Sequence, residues 1–209
     1  SEALVKLFDE VSLLIPGIRV EMVSDRRRHG TKEEHPASTV GLSLGMPAIR
    51  FGDSLNDKGR IEALAHECVH LILIYRYGLG VIARKTPRYG NSDDVFRYFM
   101  SMGGDWIFLL GQVANTVHHL ILADYLKKEY GIASLLHTHF LDHNFRLIAK
   151  ENNKDEESLY AKGIIAFEYD RLIGKVERVI HTFRQTESFW KAYRSAQKHF
   201  MGYSFHSIP

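Results

Sequence analysis

Residues 61–75 read I-E-A-L-A-H-E-C-V-H-L-I-L-I-Y and place two histidines, His66 and His70, four positions apart. On an α-helix, residues four apart lie on one face, so both imidazoles can close on a single metal ion. Glu67 is rotated about 100° from His66 and can serve such a site without binding the ion itself. Hydrolysis at zinc needs this division of labour: neutral imidazoles as ligands, an open position for water, and a carboxylate beside it to take the proton. A chain carrying this arrangement must keep the helix whole and bring a third ligand to it.

The surroundings fit a helix. Ser54 and Asp57 have the spacing of an N-terminal cap with a reciprocal acid. Ile61, Leu64, Ala65, Cys68, Leu71 and Ile72 recur at helical spacing, which predicts a buried amphipathic helix, and Gly78 and Gly80 supply its stop. The competing reading of the two histidines is a hydrogen-bonded pair in a core, with no ion. Cys68 reads as a small buried hydrophobe, because a thiolate ligand there would displace the histidine geometry.

At His66-Glu67-x-x-His70 the chain resembles the zincin metallopeptidase superfamily. The resemblance implies a Zn2+ cofactor held by His66 and His70, Glu67 as general base, and a peptide or protein substrate. It also implies a small sheet ahead of the motif helix, whose edge strand holds the peptide by main-chain pairing. It covers little beyond this helix and the strands before it. The metzincin continuation H-E-x-x-H-x-x-G-x-x-H is absent, since Leu73 and Arg76 stand where it needs glycine and histidine.

The chain ahead of the motif has the makings of such a sheet. Residues 2–14 carry Leu4, Leu7, Phe8, Val11 and Leu14 at helical spacing and are stopped by Pro16-Gly17. Residues 18–23 alternate and are rich in β-branched side chains, a strand pattern. Residues 39–44 and 48–51, separated by Gly45-Met46-Pro47, predict an antiparallel pair or two neighbouring strands. Residues 25–36 are the most polar stretch, and their run Arg26-Arg27-Arg28 reads as a solvated loop rather than a phosphate or acidic-substrate site.

The third ligand is expected downstream. Asn91 and its neighbours cap a short predicted helix reaching Met102, and after Gly103-Gly104 a long helix is expected from Asp105 to about Tyr130. Leu110, Val113, Val117, Leu120 and Ile121 mark its apolar face, with Gln112, Asn115 and His119 on the other side. In the superfamily a glutamate from such a helix often completes the site, yet this stretch holds only Glu129, near its end. His118-His119 stand there instead, and neutral imidazole suits zinc as well as carboxylate does. Adjacent residues point about 100° apart, so one of the two is expected to ligate. The choice falls on His119, because Gln112 and Asn115 share its face and can orient it. His118, Glu129, Asp124 and Glu168 stay as alternatives.

A second cluster, His137-Thr138-His139-Phe140-Leu141-Asp142-His143, lies on a helix predicted over 133–150, where His139 and His143 are again four apart. No glutamate sits inside that pair, so a partly exposed helix face is preferred over a second metal site. These histidines, Tyr89 and Tyr98 are equal candidates for stabilising an oxyanion. Residues 158–178 carry Leu159, Ile164, Ile165, Phe167, Leu172, Ile173 and Val176, which predicts one amphipathic core helix with Glu168 and Asp170 as surface charges. Residues 179–183 and 188–200 suggest a last helix packed through Phe189, Trp190, Tyr193 and Phe200.

The net charge of +2 gives no case for a nucleic-acid or membrane partner. The single cysteine excludes an internal disulfide framework, and no leader-like or membrane-spanning segment is evident, so a cytoplasmic protein is expected. No linker or repeat divides the 209 residues, which are expected to form one zincin-like metallohydrolase domain, 1–209. The expected fold is α+β, with a small N-terminal β-sheet packed beside a predominantly helical zincin-like domain. The expected function is zinc-dependent hydrolysis of peptide bonds, with His66, His70 and His119 as ligands and Glu67 as base. The alternatives are zinc-dependent hydrolysis of a non-peptide bond, or a non-catalytic zincin-like module that senses or binds a partner.

Overall fold

The computed structural model describes residues 2–23, 37–40, 47–52, 55–79, 104–150, 156–183 and 187–202. The fold is α+β: a small three-stranded mixed sheet near the N-terminus, then a mainly helical region. The expected loop at 25–36, Ser54, Gly80, Tyr89, Tyr98, the short helix over 91–102 and residues 152–155 lie outside the described residues. Among the described residues no helix is long and apolar enough to cross a membrane. The chain divides into two compact units, Ser1–Leu79 with Leu122–Leu136, and Gly80–Ile121 with His137–Pro209.

In the first unit, the apolar spacing at the start of the chain gives α1 (Glu2–Leu14), which buries Leu7 and Val11. The alternating stretches give β1 (Arg19–Val23), β2 (Ala37–Val40) and β3 (Ala48–Gly52), in sheet order β1-β3-β2. β3 is central. It pairs in parallel with β1, Val20 opposite Ile49, and antiparallel with β2, Thr39 opposite Ile49. The antiparallel pair expected ahead of the motif is therefore β2–β3.

The motif helix, α2 (Asp57–Tyr75), packs on α1, β2 and β3. Its cap is Asn56 rather than Ser54: the Asn56 side-chain oxygen accepts from the Gly59 N–H at 2.8 Å. Asparagine caps at least as well as serine and stands immediately ahead of the first helical residue, so it fixes the start. The buried set is wider than the single stripe predicted. Val69 and Leu73 are enclosed along with Ala65, Cys68, Leu71 and Ile72, while Ile61 and Leu64 are half-buried. Burying a large aliphatic side chain contributes about 1.5–3 kcal/mol. Any rotation of α2 about its axis would expose several of these side chains, so the directions of His66, Glu67 and His70 are fixed.

Two carboxylates tie further parts of this unit together. Glu10 on α1 accepts from Tyr125 Oη at 3.2 Å, Tyr130 Oη at 2.5 Å and the Arg76 guanidinium at 2.5 Å. Glu62, one turn ahead of His66 and buried, accepts from the backbone N–H of Leu136. Leu136 lies in the first turn of the following helix, whose N–H groups have no intrahelical partner, so this acid acts as its cap.

The second unit takes residues 104–121 of the long helix α3 (Gly104–Tyr130), then most of α4 (Leu135–Lys150), α5 (Glu156–Ile173), α6 (Val176–Thr182) and α7 (Glu187–Phe200). The single helix expected over 158–178 is broken. Gly174 adopts φ 73° and donates its N–H to the Asp170 carbonyl, so α5 ends there and α6 starts anew. Phe145, Phe167, Tyr169, Val179, Phe189 and Tyr193 form the core of this unit. Gly163 is required where α5 meets α7, because a Cβ there would lie 2.5 Å from the Phe189 carbonyl oxygen.

Candidate metal centre

α2 aims His66 and His70 at each other. Their Nε2 atoms are 3.0 Å apart and their rings meet edge-on, with centroids 4.7 Å apart. Two nitrogens each 2.0–2.1 Å from a tetrahedral zinc are separated by about 3.3 Å, so the pair fits two corners of such a site with a slight opening. Glu67 is bonded to the sheet. Thr39 on β2 donates its hydroxyl to Glu67 Oε2 at 2.7 Å, and its backbone N–H reaches the same carboxylate. Burial pushes the Glu67 carboxyl up to about 6, and the Thr39 hydrogen bonds oppose that rise. Cys68 is fully enclosed and burial pushes its thiol up to about 12, as befits a packing residue.

His119 belongs to the second unit, where its ring faces α5. Its Nδ1 lies 2.6 Å from Glu168 Oε1, and Thr116 Oγ1 donates to Glu168 Oε2 at 2.7 Å. His137 from α4 approaches the same carboxylate with Nε2 at 3.5 Å, and its ring centroid is 4.1 Å from that of His119. The ligand atoms of His119, His137 and Glu168 all lie within 4.8 Å of one another, a candidate metal-binding group in its own right. Burial alone would raise the Glu168 carboxyl. The His119 and His137 rings outweigh it and hold the group well below the usual carboxylate range. His119 itself is held below its usual range, by burial and the neighbouring His137, with Glu168 opposing. In this contact the carboxylate accepts and His119 Nδ1 donates.

Several expectations are corrected here. Glu168 is not a surface charge: it is 1% exposed and bonded on both oxygens. The groups around His119 are Thr116 and Glu168 rather than Asn115, which is exposed, and Gln112, which donates to Thr116 at 3.5 Å. Asp170 accepts from Tyr193 Oη at 2.8 Å and is half-buried. Among the alternative ligands, His118 is buried, Glu129 is exposed, and Asp124 pairs with Lys128 one turn on. His139 and His143 are exposed, in line with the solvated helix face expected of them.

Sequence reasoning missed Thr39, Thr116 and the role of Glu168. For the last two a signal was present. Glu168 falls four residues after Ile164 and four before Leu172, and Thr116 falls between Val113 and Leu120, so each puts a polar group on an apolar stripe. No protein-family model, curated protein or solved structure matches the chain.

Proposed function

We propose that the chain is a zinc-dependent hydrolase acting on peptide bonds, within one zincin-like domain. His66, His70 and His119 are its metal ligands and Glu67 its general base. The observation that carries this reading is the convergence of His66 Nε2 and His70 Nε2 to 3.0 Å on a helix whose rotation is fixed by packing. The ion, when bound, would supply Lewis-acid chemistry, polarising the scissile carbonyl and making a water acidic near neutral pH. Glu67 is to take the proton from the attacking water and hand it to the leaving amine. The Thr39 hydroxyl holds Glu67 by its Oε2. β2 carries Thr39 and lies at the edge of the described sheet, so the substrate is proposed to run along it by main-chain pairing.

Metal analysis of the purified chain, paired with a peptide-hydrolysis assay, tests the reading. Wild type is expected to hold one zinc per chain and to turn over; His66→Ala loses both, and Glu67→Gln keeps the zinc and loses turnover. Stoichiometric zinc after His66→Ala would overturn the ligand assignment, and full activity in Glu67→Gln would remove the general base.

A further inference from the structure

The acid at position 168 is enclosed by α3, α4 and α5 side chains, and a buried charge is tolerated only with partners on its oxygens. Thr116 supplies a hydroxyl to Oε2, and His119 Nδ1 meets Oε1 at 2.6 Å. A carboxylate accepts and does not donate, so the hydrogen of that contact belongs to Nδ1 of His119. In a neutral imidazole this leaves Nε2 with its lone pair, the form that binds metal. Pairing with a carboxylate also fixes the orientation of the ring and raises the basicity of the other nitrogen. His137, whose ring centroid lies 4.1 Å from that of His119, limits the freedom of the ring further.

We infer that Glu168 is a positioning residue: it locks His119 in the Nδ1–H tautomer and leaves Nε2 as the metal-donor nitrogen, while Thr116 holds the carboxylate in place. This rests on the reading of His119 as third ligand, and it assigns a buried acid 49 positions along the chain to the metal centre without making it a ligand.

Two measurements on the full-length chain test it. Nitrogen-15 NMR of the histidine side chains in metal-free wild type reads the tautomer directly and needs no variant; His119 is expected as Nδ1–H. Zinc titration against a competing chelator then compares wild type with Glu168→Gln, which keeps the shape and one acceptor oxygen but removes the charge. Affinity is expected to fall about 10- to 100-fold. An Nε2–H tautomer in wild type, or wild-type affinity in Glu168→Gln while His66→Ala loses zinc, overturns the inference and leaves the hydrolase reading standing. Zinc that survives His66→Ala and His70→Ala but is lost in Glu168→Gln places the ion on His119, His137 and Glu168, and overturns both. A wild-type chain that binds no zinc overturns the hydrolase reading and the inference with it.

Discussion

On α2, His66 and His70 are neighbours because a single helix repeats every 3.6 residues; around Glu168, three helices each contribute a side chain. The first arrangement survives wherever α2 is helical. The second exists only once α3, α4 and α5 have packed. Each group contains a buried glutamate, and the two acids titrate in opposite directions: Glu67 is pushed up to about 6, whereas Glu168 is driven below the ordinary range. Glu67 has Thr39 alone working against burial, whereas Glu168 faces two imidazoles. Depth does not decide the charge of a buried acid; the number and kind of donors do.

That contrast can be broken experimentally, and the largest effect expected is on turnover. Glu67→Gln should lower kcat by about 10²–10⁴, the range typical of general-base loss, with zinc affinity retained. Glu168→Gln should act through zinc affinity instead, so that its activity recovers at saturating zinc. Equal kcat losses in the two variants at saturating metal would erase the distinction.

The same edit can be made in both regions. Thr116→Val removes a donor to a fully buried carboxylate and is expected to cost about 1.5–3 kcal/mol in urea unfolding. Thr39→Val removes a comparable bond at a half-buried strand position and should cost about 0.5–1.5 kcal/mol.

The pH dependence of stability carries opposite signs. A raised folded-state value at Glu67 means that the native metal-free chain binds more protons than the unfolded one between 4.5 and about 6. Stability should then fall across that window as pH rises, by about 2 kcal/mol, and Glu67→Gln should abolish the fall. The depressed Glu168 works the other way: its contribution is complete above its unfolded value of 4.5 and is lost as pH drops below it. Unfolding curves for wild type and both glutamine variants between pH 2 and 7 separate the two. The smallest effect expected is for His139→Ala with His143→Ala, since both rings are exposed. Stability should stay within about 0.5 kcal/mol and zinc stoichiometry should not change.

The sequence made the local features legible. α1, the motif helix, the long α3 and the β2–β3 pair follow from apolar periodicity within short windows, which needs no knowledge of tertiary partners. The geometry of His66 and His70 was accessible for the same reason. The Glu168–His119 pair was not, because it joins residues 49 positions apart, and no periodicity encodes which two helices will meet. The helix break at Gly174 was visible as a glycine but was overridden by the apolar residues on both sides of it. Asn56 lost to Ser54 because both are good caps and the choice between them depends on where the preceding strand releases the chain.

Gly163 stands five residues ahead of Glu168 on α5, and its bare backbone lets the Phe189 carbonyl of α7 come within touching distance. The final helix supplies none of the proposed ligands and not the proposed base, yet its backbone lies directly against α5 at this point. On the proposed reading, selection for metal binding would be recorded partly as intolerance of side-chain bulk at a seam that supplies none of the ligands. A search for damaging variants confined to the histidines and glutamates would overlook it.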